Sequence, residues 1–169
     1  MEDSATIVVS NATALIHLSR IRKLSLLKEL FSKVFIPRAV HDEVAVPGEV
    51  GYEEIVKGIQ EKWITVKDIR DRMSAYELAP LLHKGEAEAI ILAEEAKADY
   101  LIVDERVARH IAASRRIKVV GILGILSLCV ELKLINVNEA LKLSQALIES
   151  GYIIDHEVYE EWRRSLAQH

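Results

Sequence analysis

The sequence predicts an α/β protein whose parallel sheet of about five strands is covered by helices on both faces, in one domain over residues 1–169. Short β-branched runs alternate with longer segments of helical spacing, and such alternation implies right-handed crossovers between parallel strands. The strand runs are near-continuously apolar, as strands buried on both faces are. Gly and Pro are scarce, 7 and 3 residues respectively, which argues against a sandwich with frequent tight turns and for helices joined by short loops.

Residues 6–10 (TIVVS) form the first strand. Apolar positions 12, 15, 16 and 18, then 24, 27, 30 and 31, mark two helices or one bent helix over 12–20 and 24–31. Residues 34–36 are the second strand. Pro37, suited to a first helical position, opens a helix over 38–46, and Pro47 with Gly48 ends it. A helix over 52–60 leads to a third strand, 63–66 (WITV), and a helix over 73–83 is limited by Pro80. Gly85 starts the most apolar helix, 86–97, which is buried on most sides. Residues 100–103 (YLIV) are the fourth strand and 118–120 the fifth. Helices over 104–115, 121–133, 138–150 and 157–167 complete the chain.

Half of the residues are hydrophobic but only 5% are aromatic, so the core is built from Ile, Leu, Val and Ala. A net charge of -4 suits a protein that concentrates carboxylates around a cation. It does not exclude nucleic acid, since phosphate contact needs only a local basic patch. The single cysteine, Cys129, lies in an apolar run and reads as a buried small hydrophobe. One cysteine excludes a disulfide within the chain and a thiolate zinc cluster. No apolar run near the first residue resembles a signal peptide, and no stretch of 18 uncharged apolar residues occurs. A cytoplasmic location without a membrane partner is therefore expected. No internal repeat or low-complexity segment is visible.

Ligands of parallel sheets bind beyond the carboxyl ends of the strands, so the residues just past each strand are the informative ones. Asn11 follows the first strand and Asp104 the fourth. Glu43, between Val40 and Val44, borders the buried face of the helix after the second strand. Glu86 opens the helix that feeds the fourth. Converging carboxylates repel one another, so a cation is needed to hold them together. Hard divalent cations such as Mg2+ prefer oxygen ligands, and a bound one polarises a scissile phosphate and helps a water ionise. Each residue also has a plainer reading. Asp104 would serve as the N-cap of its helix, Glu86 as a charge near a helix dipole, Glu43 as a solvated residue and Asn11 as a turn residue. Glu88 competes with Glu86 for the role of ligand. Only in combination do these residues point to a metal site.

Arg106, Arg109 and His110 share a helix face at spacings of three and four, a basic patch suited to a phosphate backbone. The alternative is a solvated face balanced by Glu105. No aromatic residues interleave with the patch, so base stacking is not expected. The six histidines form no metal-binding pair at four-residue spacing. No Walker A or G-x-G-x-x-G motif occurs, so nucleotide cofactors are not expected. The helix over 141–148 and the tail over 152–162 are amphipathic and pack on the core or form a dimer face.

The stretches VVSNATALIHL, FIPRAVHDEV, KGEAEAIILAEEAKADYLIVDERVAR and SGYIIDHEVYEEW resemble the PIN-domain-like proteins of bacteria and archaea, in particular an uncharacterised subgroup related to VapC-type toxin ribonucleases. The resemblance covers almost the whole chain. It implies a three-layer α/β/α sandwich and Mg2+- or Mn2+-dependent cleavage of RNA. The family's four acidic positions fall on Asn11, Glu43, Glu86 and Asp104, and the small hydroxyl residue that supports the first of them falls on Thr13, with Ser10 as a second. Asn11 departs from the family's usual aspartate. A neutral amide offers one oxygen but no charge, and it is a poor base, so metal binding and water activation are both expected to weaken.

The expected activity is that of an Mg2+- or Mn2+-dependent endoribonuclease, in its sharpest form the toxin of a toxin–antitoxin pair. Glu43, Glu86 and Asp104 are its candidate catalytic residues, and these three with Asn11 are its candidate metal ligands. RNA is the expected partner, and a small antitoxin protein or a second copy of the chain are further candidates. The alternative is a catalytically weak or inactive module that binds RNA or a protein through the same pocket, as Asn11 would favour. A phosphoacceptor domain with Asp104 as the acceptor would want further acids near the first strand.

Overall fold

The computed structural model describes residues 5–169, so the first four residues of the expected domain lie outside the description. The elements are β1 (Val8–Ser10), α1 (Ala12–Arg20), α2 (Ser25–Phe31), β2 (Val34–Pro37), α3 (Arg38–Val44), α4 (Tyr52–Gln60), β3 (Ile64–Lys67), α5 (Arg72–Leu78), α6 (Lys84–Glu95), β4 (Tyr100–Ile102), α7 (Arg106–Ser114), β5 (Val119–Val120), α8 (Ile122–Glu131), α9 (Val137–Glu149) and α10 (His156–Leu166). All five strands are parallel, in the order β3-β2-β1-β4-β5.

Two apolar clusters sandwich this sheet, because successive strand residues point to opposite faces. Val8 and Ile102 pack with Leu15 of α1, Leu27 of α2, Ile125 of α8 and Leu147 of α9. Val9 and Leu101 pack with Ile90 and Ile91 of α6 and Ala108 and Ala112 of α7. The result is the three-layer α/β/α sandwich. The tail helix α10 is fixed by Trp162, whose Nε1 donates to the Leu123 carbonyl at 3.0 Å and lies 2.9 Å from Ser127 Oγ. No helix among the described residues is long and apolar enough to cross a membrane.

Element ends differ from the sequence reading in three instructive places. Pro37 is the last residue of β2, paired in register with Lys67, and caps α3 rather than occupying its first turn. The helix before Pro80 stops at Leu78, because proline cannot donate the hydrogen bond that a further turn needs. The helix after β4 begins at Arg106, not at Asp104, because Glu105 is its N-cap: its carboxylate accepts Val107 N–H at 3.0 Å and Ala108 N–H at 2.7 Å.

Candidate functional site

The chain leaves β1 toward β2 on one side and re-enters the sheet as β4 on the other. Such a switch point opens a crevice outside the carboxyl ends of the two strands. Ser10 pairs with Ile102, and the Asn11 N–H donates to the Ile102 carbonyl at 3.1 Å. Asn11 and Asp104 therefore flank the crevice from adjacent strands. Helix α6 runs back to the start of β4, so its first turn, with Glu86, lies at the same edge. Helix α3, with Glu43, packs against α6.

Asn11 is only 2% exposed. It occupies the N-cap position of α1 but makes no capping bond, and its buried Oδ1 has no hydrogen-bond partner among the described residues. An unpaired buried acceptor of this kind costs about 1–3 kcal/mol. Ser10 Oγ donates to the Asn11 backbone carbonyl at 2.9 Å, which braces the turn itself. Thr13 is half-buried in the first turn of α1.

Glu86 closes a capping box at the start of α6, its Oε2 accepting the His83 N–H at 3.1 Å. Burial lifts its carboxyl above the ordinary carboxylate range. The His83 N–H opposes this lift, and the negative charges of Glu105 and Glu43 add to it. Gly85 allows the approach of α3: a Cβ there would lie 3.3 Å from Val40 Cγ2 and 3.5 Å from Glu43 Oε2. Glu88 has a different task. Its Oε2 accepts the Ala39 N–H at 3.0 Å and so satisfies the first turn of α3. Glu105, read from sequence only as a counter-charge to the arginines, is the carboxylate that acts on Glu86 beside Glu43. Its signal was the second acid in the DE pair past the fourth strand.

Asp104 is turned toward a different set of partners. Tyr152 donates its hydroxyl to Oδ1 at 2.5 Å, and the Ile122 N–H approaches both oxygens at 3.2 Å. Asp104 therefore caps α8 and not, as its plainer reading had it, the helix that follows it in sequence. Burial pushes its carboxyl upward, opposed by the Tyr152 and Ile122 bonds and by the Arg109 charge. Gly121 makes this convergence sterically feasible: a Cβ there would lie 2.6 Å from Asp104 Oδ1 and 3.0 Å from Arg109 Nη1. Tyr152 was not singled out by sequence reasoning, although it lies in the SGYII stretch that carried part of the resemblance.

The basic patch divides. Arg109 is half-buried and donates from Nη1 to the Val103 carbonyl at 3.0 Å, bracing the end of β4. Arg106 is exposed. Both line a cleft of about 830 Å³ with Asp104, Gly121, Tyr152 and Trp162. His110 is exposed on the same helix, outside the residues that line this cleft.

The donor set at the crevice consists of carboxylate and amide oxygens, the chemistry of a hard divalent cation. The Asn11 Oδ1, without a partner among the described residues, and the negative charges of Glu105 and Glu43 that bear on Glu86 suit a positive partner. Among the described residues no group of three or more His, Cys, Asp or Glu side chains is arranged to hold a metal ion. A hard cation held here would therefore take few carboxylates, with water completing its shell.

No curated protein matches the chain. The family model DUF3368, a PIN domain, matches residues 7–168. PIN domains are typically metal-dependent nucleases and generally use divalent cations, so the fold is a nuclease fold. On a match that spans nearly the whole chain, this protein belongs to the PIN-domain family DUF3368.

Proposed function

We propose that this protein is an Mg2+- or Mn2+-dependent endoribonuclease of the cytoplasm that hydrolyses RNA phosphodiesters. The reading is supported by the carboxyl edge of the sheet at the switch point, where Asn11 Oδ1 is buried with no hydrogen-bond partner among the described residues and the charges of Glu105 and Glu43 bear on Glu86. Glu43 and Glu86 would hold the cation, with Asp104 and Asn11 as further oxygen donors. When bound, the cation supplies polarisation of the scissile phosphate and of a water. Arg106 offers its charge to the RNA backbone along the cleft, while Arg109 keeps Val103 and Asp104 at the strand end. The toxin form of this activity, with a small antitoxin as partner, rests on the resemblance to VapC-type proteins.

A second reading is a catalytically weak module that binds RNA or a protein through the same edge. Two observations favour it: Asn11 is a neutral amide, and Asp104 is already engaged by Tyr152 and Ile122.

Cleavage of a generic RNA with Mn2+, with and without chelator, separates the two. Wild type is expected to cut weakly, Asp104→Asn to lose cleavage, and Asn11→Asp to gain it. Equal behaviour of wild type and Asp104→Asn would reject the nuclease reading.

A further inference from the structure

The SGYII stretch lies far from the strands in sequence, yet it reaches the crevice. Helix α9 ends in a Schellman motif: Tyr152 N–H donates to the Leu147 carbonyl at 3.0 Å and Gly151 N–H to the Ile148 carbonyl at 3.1 Å. Gly151 takes the left-handed φ of +105° that this motif requires. The chain reverses there and drives Tyr152 inward, where it is 6% exposed. Its ring packs against His17 of α1 at a centroid distance of 5.4 Å. Its hydroxyl ends 2.5 Å from Asp104 Oδ1.

A carboxylate has about four lone-pair sites. On Asp104, Tyr152 takes one site on Oδ1, and the Ile122 N–H is shared between the two oxygens. The oxygen with accepting capacity left is therefore Oδ2. We propose that Tyr152 is a positioning residue for Asp104. It ties down Oδ1 and presents Oδ2 to the crevice, so that the α9–α10 extension is an integral part of the site. This inference rests on the nuclease reading for its consequence in catalysis, but its geometric content does not.

The test uses the full chain as wild type, Tyr152→Phe, Gly151→Ala and Asp104→Asn. Tyr152→Phe keeps the ring and removes the hydroxyl. Gly151→Ala keeps the hydroxyl and strains the turn that aims it, with open space for the new Cβ, whose nearest neighbour is Arg20 Nη1 at 3.9 Å. Three quantities are read: the ¹³C shift of the Asp104 carboxyl without metal (assigned by its loss in Asp104→Asn), Mn2+ affinity by electron paramagnetic resonance, and kcat and KM for RNA. Tyr152→Phe is expected to move the Asp104 carboxyl signal and to weaken Mn2+ binding and kcat by about tenfold, the usual scale for outer-shell partners, with KM for RNA unchanged. Gly151→Ala is expected to do the same in smaller measure, and it decides the matter if Tyr152→Phe does not fold. An Asp104 signal unmoved in these variants overturns the proposal, as does a moved signal with unchanged Mn2+ affinity and kcat in an active protein. If wild type neither binds Mn2+ nor cleaves RNA, the nuclease reading fails by itself, and the Asp104 signal alone decides the positioning claim.

Discussion

Replacing Gly121 by alanine opposes two effects that can be weighed from the geometry. Gly121 has φ of -95° and ψ of 179°, an extended backbone that alanine adopts without strain. Loss of freedom in the unfolded chain alone would then stabilise the protein by about 0.4–1 kcal/mol. The available space reverses the sign. The new Cβ would stand 2.6 Å from Asp104 Oδ1 and 3.0 Å from Arg109 Nη1. Neither atom is free to swing away. Oδ1 is held by Tyr152 at 2.5 Å and Ile122 at 3.2 Å, and Arg109 Nη1 is held by the Val103 carbonyl at 3.0 Å. A hydrogen bond to a charged group contributes about 1.5–3 kcal/mol, and at least one must be lost to make room. The expected net effect is a destabilisation of about 0.5–2.6 kcal/mol, or a Tm lower by about 1–10 °C for a chain of this size. Urea unfolding followed by circular dichroism measures it, with an unchanged m-value as the check that only the folded state has moved. Gly85→Ala is the contrast: its Cβ meets Val40 Cγ2 at 3.3 Å and Glu43 Oε2 at 3.5 Å inside a helix, where alanine is otherwise preferred by up to about 1 kcal/mol. Near-neutral behaviour is expected there. A Gly121→Ala protein as stable as wild type, or no less stable than Gly85→Ala, would show that the knot around Asp104 carries no energy.

Asn11→Asp puts a carboxylate into a position 2% exposed, so it should lower the urea midpoint in chelator and recover stability as Mn2+ is added; a midpoint insensitive to Mn2+ would argue against a cation at the crevice. Glu88→Gln should cost about 1 kcal/mol through the weakened bond to Ala39 N–H and leave Mn2+ binding untouched, whereas Glu86→Gln should impair Mn2+ binding; the reverse pattern in a titration would exchange their roles. The carboxyls of Glu86 and Asp104 are both raised, chiefly by burial. Between the unfolded and the raised folded pKa the native state holds more protons, so metal-free stability should fall as pH rises from the ordinary carboxylate range through the raised one. Glu86→Gln should flatten that slope in urea midpoints measured across the range, and an unchanged slope would contradict the burial argument.

Much of the architecture was legible because it rests on local periodicity. Alternating apolar runs and helical spacings name the layers directly, and the acids just past the strands are visible as soon as the strands are. Strand order was not legible. Nothing local in residues 8–10 states that β1 lies between β2 and β4, since that follows from how all the helices cover the sheet. The same limit applies within the site. Asp104 and Glu105 are neighbours in sequence, yet the first faces α8 and Tyr152 while the second caps α7 and acts on Glu86. Gly121, whose missing Cβ leaves room for Asp104 Oδ1 and Arg109 Nη1, comes from a later part of the chain.

The amino-acid sequence by itself therefore determined the layers, the parallel sheet and the set of polar residues delivered to its carboxyl edge, because these follow from spacing along one chain. Only the tertiary structure decided the partners of those residues. It gave the His83 N–H to Glu86 and set the charges of Glu105 and Glu43 to bear on it, gave Glu88 to the start of α3, left Asn11 Oδ1 without a partner among the described residues, and brought Tyr152 to Asp104. The physical reason is that hydrogen bonds and charge coupling act over a few ångströms in space, and contacts between α3 and α6 or between the α9–α10 turn and Asp104 beyond β4 exist only once the sheet has gathered its helices.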